Sequence, residues 1–286
     1  MLVVGLGCAG AAAALEASRG GAETLVLERA GGGGGTSAMS GGVLYLGGGT
    51  ALQKACGFED SPGEMEKYLL ASCGEASDAE KIRLYCEGSI AHYDWIVEQG
   101  VPFKQVFYEG CSGEPPTDDG LVWSGSERAH PFREIAVPAP RGHVPQMVHQ
   151  TGPLLMQKLC EAVDASPARV AANHRCVALV QEPDGSVIGA VAETFGERRA
   201  IRARRGLGLL AGRLLVFFVG VSCGRRCQQQ CGEQQEQPQA ASPISQVETR
   251  EASSIRYTRQ PCRARCRRTR PRGSRSRSRR PPGSRS

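Results

Sequence analysis

Aromatic residues are scarce in this chain. Two Trp, six Tyr and seven Phe among 286 residues make up 5 %. No helix-length run of uninterrupted apolar residues occurs: the longest candidate, 207–221, is broken by Arg213. It falls short of the roughly twenty residues a membrane span needs, so no span is expected. The N-terminus lacks a basic segment and carries Glu16 in its alanine-rich stretch, which argues against a secretory leader. Histidine is sparse, and none follows Cys223, so the repeats Cys223, Cys227, Cys231 and Cys262, Cys266 lack the partners of a mixed Cys/His zinc site. No metal is expected. The other seven cysteines have no paired spacing and read as reduced thiols of a cytoplasmic protein.

Acidic residues are also missing from one place. Residues 261–286 hold eleven arginines and no Asp or Glu. Removing those eleven charges from the net +6 leaves −5 on the first 260 residues. A mildly acidic body thus carries a basic tail. Residues 214–286 form a Gln-, Ser-, Pro- and Arg-rich segment with too few large apolar residues to offset chain entropy, and disorder is expected there. Two readings stand: a tail that binds RNA or another polyanion, or the product of a shifted reading frame.

What is present concentrates at the start. Val3-Val4-Gly5-Leu6-Gly7-Cys8-Ala9-Gly10 is a β-branched run entering a GxGxxG turn, and Ala11 to Ser18 reads as a helix. Gly5 permits a tight turn, Gly7 lets backbone approach a pyrophosphate, and Gly10 lets helix and strand pack closely. A second strand, Thr24 to Leu27, ends in Glu28, about twenty residues beyond the glycines, where a βαβ unit presents an acid to a ribose. A glycine run, Gly31 to Gly35, leads into Thr36-Ser37-Ala38-Met39-Ser40-Gly41-Gly42.

Further along, Ser61-Pro62 with Glu64 predicts a capped helix bearing Met65, Tyr68 and Leu69 on one face. Ser77 with Glu80 predicts the start of a second helix, with Ile82, Tyr85, Cys86, Ser89, Tyr93, Ile96 and Val97 at helical spacing and Gly100 as its stop. His92 and Tyr93 on that helix read as packing residues. Residues 104–150 are loop-rich. Within them, Arg141 and His143 either bind an anionic or carbonyl-bearing substrate or are ordinary turn residues. Thr151 caps a helix through Val163. Strands follow at 169–171 and 176–180, then a turn at 182–186 and a returning strand at 187–191.

These pieces, in this order, resemble the fumarate reductase/succinate dehydrogenase flavoprotein family, and most closely its 3-ketosteroid Δ1-dehydrogenase-like branch. The resemblance carries Gly5, Gly7, Cys8, Ala9 and Gly10 to the pyrophosphate of FAD and Glu28-Arg29 to the adenosine end. It carries Gly35, Thr36, Ser37, Ser40, Gly41 and Gly42 toward the ribityl chain and flavin. It sets Cys176 or Val177 by the adenine, and Arg141 and His143 by the substrate. It also implies a flavin-contacting turn at Ala211-Gly212, although Arg213 stands where a second glycine is expected. There the resemblance stops. The implied architecture is α/β: a Rossmann-type FAD-binding half over residues 1–213, with a parallel sheet, an attached β-meander and a helical, loop-rich insertion. The implied activity is FAD-dependent oxidation or reduction of a C–C bond beside a carbonyl or carboxylate, on a steroid-like or dicarboxylate substrate. Because that family's capping domain is not represented in the sequence, impaired catalysis is expected. The competing reading is a nucleotide-binding fragment with a nucleic-acid-binding tail and no activity. An NAD-dependent enzyme is disfavoured by the Thr-Ser-x-x-Ser-Gly-Gly segment.

Overall fold

The computed structural model describes residues 1–110, 114–209 and, as backbone, 216–218. The expected turn at Ala211-Gly212 and the Arg-rich tail lie outside the described residues. In chain order the elements begin with β1 (Leu2–Val4), α1 (Cys8–Arg19), β2 (Leu25–Leu27), α2 (Gly35–Ala38), β3 (Leu44–Tyr45) and α3 (Ala51–Ala55). The insertion supplies α4 (Pro62–Cys73), α5 (Ala79–Glu98), β4 (Leu121–Val122), α6 (Phe132–Ile135) and β5 (Gly142–His143). The chain continues through α7 (Gly152–Ala165), β6 (Arg169–Ala171), β7 (Arg175–Gln181), β8 (Val187–Thr194), β9 (Glu197–Arg202), β10 (Leu207–Leu209) and β11 (Val216–Phe218).

The main sheet has the order β11-β10-β1-β2-β6. β6, β2, β1 and β10 run parallel, and β11 pairs antiparallel to β10. β1 is central, and its three residues are 1 %, 0 % and 5 % exposed, as a parallel strand covered on both faces requires. Its side chains alternate between two cores. Val3, with Val26, meets Leu6, Ala11, Ala14 and Leu15 around α1 and Leu155, Met156, Leu159 and Val163 of α7. Leu2 and Val4, with Leu27 and Leu207, meet Val187, Ala190 and Ala192 of the meander. Helices cover one face, and the antiparallel β7-β8-β9 sheet covers the other. The expected α/β half with an attached meander is what the chain folds into. Among the described residues no helix is long and apolar enough to cross a membrane.

A third sheet, β3-β5-β4, joins segments far apart in sequence. Leu44 and Leu121 flank His143, and Tyr45 and Val122 flank Gly142. Two-residue strands carry no periodicity, so none of these was legible beforehand. Two helix starts also differ from expectation. α5 is capped by Asp78, whose carboxylate accepts the Lys81 amide, one residue later than Ser77. At α4, Ser61 accepts the Glu64 amide as expected, but the Glu64 carboxylate binds Lys67 and the Val137 amide instead of closing a capping box. The complete capping box is at α3, between Thr50 and Gln53.

Candidate dinucleotide site and the buried network beside it

The strand β1 delivers the chain into a turn at Gly5, whose φ of 95° favours glycine. The Gly5 amide donates to Leu27 O at 2.8 Å, so the turn is fixed against the end of β2. α1 begins at Cys8, three residues before the alanine run, with Gly7 as N-cap and no capping side chain. Its first-turn amides therefore have no partner within the helix. A Cβ on Gly10 would lie 1.9 Å from Gly5 O, inside any permitted contact. Gly10 is thus required for the helix to start on top of the turn. A Cβ on Gly7 would meet Ser37 Oγ at 3.3 Å. That hydroxyl accepts the Cys8 amide at 3.3 Å.

Glu28 lies at the end of β2 and turns back toward this mouth. Oε2 accepts the Leu6 amide at 2.7 Å, and Oε1 accepts the Ala30 amide at 2.9 Å. Arg29 is exposed beside it. The glycine run folds under the turn, with the Gly34 amide donating to Leu6 O at 2.7 Å. Gly35 to Ala38 form the short α2. Ser40 Oγ donates to Ser37 O at 2.7 Å, and Gly41 O accepts both the amide and the hydroxyl of Thr151. Thr151 caps α7 by position, but its hydroxyl serves the Gly41 carbonyl instead of the helix. A Cβ on Gly42 would lie 2.3 Å from the Gly152 amide nitrogen, so this segment and the start of α7 are in close contact. Beside it a cleft of about 450 Å³ is lined by Ser40, Gly41, Gly42, Val43, Tyr45, Glu114 and Ser124. Hydrogen bonds therefore join the turn at Gly5–Cys8, the end of β2 at Glu28 and the segment that begins at Gly34. Val177 sits at the bulge in β7 and is partly exposed.

Arg141 and His143 occupy a different setting. Neither is a turn residue on the surface: both are 0 % exposed. Arg141 Nε donates to Asp60 Oδ2 at 2.9 Å, and Nη2 donates to Oδ1 at 2.7 Å, a bidentate pair with both side chains fully buried. Burial alone would push the Asp60 carboxyl up. The Arg141 hydrogen bonds, with those of the Gly48 amide and Gln53, outweigh it and hold the group below its usual range. Gln53 is also fully buried. Its Nε2 donates to Asp60 and to Pro140 O, while its Oε1 accepts the Gly49 and Thr50 amides. His143 Nδ1 faces Arg141 O at 3.1 Å, and Nε2 faces Thr50 Oγ1 at 2.8 Å. A carbonyl can only accept, so Nδ1 carries the proton and Nε2 accepts from the Thr50 hydroxyl. Burial lowers the His143 pKa to about 4.

Sequence reasoning missed Asp60, Gln53 and Thr50 as members of this network. The Thr50-x-x-Gln53 capping pattern was the one local signal available. Among the described residues no group of His, Cys, Asp and Glu could hold a metal ion.

A family model described as an FAD binding domain matches residues 1–214. The chain is 33 % identical over 195 residues to 3-oxo-5-alpha-steroid 4-dehydrogenase of Comamonas testosteroni, covering 66 % of this chain and 36 % of that protein. It is 27 % identical to urocanate reductase of Eggerthella lenta over 73 % of this chain and 32 % of that one. Among solved structures, 3-ketosteroid-delta4-(5alpha)-dehydrogenase of Rhodococcus jostii superposes with a TM-score of 0.70 at 51 % identity, covering 73 % of this chain and 44 % of that one. The chain thus spans about a third to less than half of the length of these three relatives. The cofactor of this family is FAD, and the mouth of α1 beside Glu28, whose N-cap Gly7 brings no capping side chain, suits a dinucleotide. The chain belongs to the FAD binding domain family.

Proposed function

We propose that residues 1–213 hold FAD and form the flavin-side half of an oxidoreductase that adds or removes hydrogen across a C–C bond beside a carbonyl or carboxylate. The observation that carries this reading is the Glu28 carboxylate turned onto the glycine turn at Leu6, beside the uncapped start of α1. The amides of Gly7, Cys8, Ala9 and Gly10 suit a pyrophosphate, which gains from the helix dipole. Glu28 is set to accept from ribose hydroxyls, with Arg29 at the adenosine end. The hydroxyls of Thr36, Ser37 and Ser40 and the close backbone of Gly35, Gly41 and Gly42 suit a polyol chain and a flat ring. Val177 would contact the adenine, and Ala211 and Gly212 would complete the flavin side. FAD, when bound, supplies the hydride chemistry; the chain positions it and tunes its surroundings.

For the substrate class we propose a steroid-like enone, in keeping with the names of the steroid dehydrogenases, or a dicarboxylate, in keeping with those of the fumarate reductases. Arg141 and His143 act in this reading by holding the wall of the cleft, since Arg141 Nε and Nη2 are taken up by Asp60 and both His143 ring nitrogens by Thr50 and backbone. The protein is read as cytoplasmic. The test is to purify the full chain, titrate FAD by flavin fluorescence, and assay reduction of enone and dicarboxylate acceptors with reduced flavin. Stoichiometric FAD binding with slow turnover supports the proposal. Binding of NAD in place of FAD overturns it.

A further inference from the structure

Phe195 is the most exposed large apolar side chain among the described residues, at 92 %. It stands at the tip of the β8–β9 hairpin, in a two-residue turn with Gly196 between the paired Thr194 and Glu197. Both turn residues have positive φ, 45° and 86°. This is the pattern of a type I′ turn, whose first position favours Asn, Asp or Gly. A phenylalanine is unfavourable there for two separate reasons. Its Cβ crowds the following carbonyl, and its ring is left in water. Local stability does not account for the residue, and a side chain held against its own sterics points to a use.

The sheet behind the tip has two unlike faces. Ala190 and Ala192 of β8 turn inward, onto the core with Leu2 and Val4. By alternation Gly189, Val191 and Glu193 turn outward. Across the sheet Val191 lies between Ala178 and Ala200, and Glu193 between Arg175 and Arg198. Gly189 lies beside Arg202. The outer face is therefore flat and apolar at its centre, with arginines on its outer strands. Glu193 answers one of them, accepting from Arg198 Nε at 2.8 Å. Residues 187–205 hold five arginines against two glutamates, and all five are exposed. The first 260 residues sum to −5, so this basic face is a local exception to a mildly acidic body.

Cations spread around a flat apolar face, with one ring projecting from its edge, suit the surface of an anionic bilayer. Guanidinium groups meet the lipid phosphates, and the ring enters the boundary with the acyl chains. A second copy of this chain suits the face poorly, because a two-fold axis would set the same arginines against each other. We propose that the β8–β9 hairpin docks the protein peripherally on an anionic lipid surface, with Phe195 inserted and Arg198 and Arg202 in the headgroup layer. One ring and a few arginines make the docking reversible. It does not rest on the flavin reading.

The experiment uses the full chain and phosphatidylcholine vesicles with and without phosphatidylserine. Eleven arginines at 261–286 draw the chain to anionic vesicles by charge alone, so binding by itself does not decide. Phe195→Trp places an indole at the hairpin tip, and lipids brominated on the acyl chain quench indoles that reach the hydrocarbon boundary. We expect quenching beyond that of the wild type, whose Trp95 and Trp123 give the background, and only when phosphatidylserine is present. Phe195→Asn restores a residue the turn favours, so it should fold at least as stably. Its partition to the anionic vesicles should be about tenfold weaker. Arg202→Glu should weaken partition about fivefold or more at low salt, with the difference shrinking at high salt. No added quenching in Phe195→Trp, or unchanged partition in Phe195→Asn, overturns the proposal. So does binding of single-stranded RNA that Arg202→Glu weakens while the vesicles give no added quenching; the face would then be a nucleic-acid surface.

Discussion

Glu28 Oε2 accepts the backbone N–H of Leu6 at 2.7 Å, tying the end of β2 to the turn that leaves β1. A second amide, Ala30 N, is held by the other oxygen. One carboxylate therefore braces the turn. Replacing Glu28 by Ala leaves the half-buried Leu6 amide without an acceptor. We predict a loss of about 1–3 kcal/mol in urea unfolding without ligand. A variant as stable as wild type would show that the carboxylate does not brace the turn.

Gly10→Ala should be more damaging than its small volume suggests. The added methyl would sit 1.9 Å from Gly5 O and 2.9 Å from Gly5 C, both backbone atoms that cannot swing aside. Overpacking of this kind costs roughly 1–3 kcal/mol or more. Gly32→Ala, where nothing lies within 4 Å, serves as the control and should be nearly neutral. Thermal melts of the two variants make the comparison, and equal midpoints would contradict the packing role given to Gly10.

Arg141→Met removes one half of a fully buried ion pair and strands Asp60 among its remaining partners. The expected loss is about 3–5 kcal/mol near neutral pH. The sign of its pH dependence follows from Asp60. Its folded pKa lies below 3.8, so the pair's contribution is present above that value and is lost as the pH falls through the folded pKa. Wild type and variant should therefore converge in stability at strongly acidic pH. Urea unfolding at several pH values measures this.

His143 gives a second acid-sensitive contribution in a different window. Unfolded, it titrates near 6.5; folded, burial lowers it to about 4. Between those values the unfolded chain binds a proton that the folded chain excludes, so stability falls as the pH drops from 6.5 toward 4. The total is about 3 kcal/mol, at roughly 1.4 kcal/mol per pH unit. His143→Gln should flatten that part of the stability profile. A slope unchanged by the substitution would mean that His143 is not held neutral.

Much of this architecture was legible because its signals are local. Gly5, Gly7, Gly10 and Glu28 fall within one βαβ unit, and their spacing alone reports the turn, the close packing and the acid. The face carrying Met65 and Tyr68, and the helix stop at Gly100, follow from periodicity and caps. The buried network was not legible. Asp60 and Arg141 are 81 positions apart, and Thr50 and His143 are 93 apart. Nothing in either neighbourhood specifies the partner, and the two-residue strands that align them have no pattern to read. Glu127 was hidden for the same reason: a lone acid in a polar turn reads as solvated until the fold turns it inward.

The most direct test of the central claim is FAD titration of the full chain and of Glu28→Ala, followed by flavin fluorescence. Saturable one-to-one binding is expected of the wild type, with an affinity at least about tenfold weaker in the variant, the loss expected for one charged hydrogen bond. Failure of the wild type to bind FAD, or equal affinity in the two proteins, would contradict it.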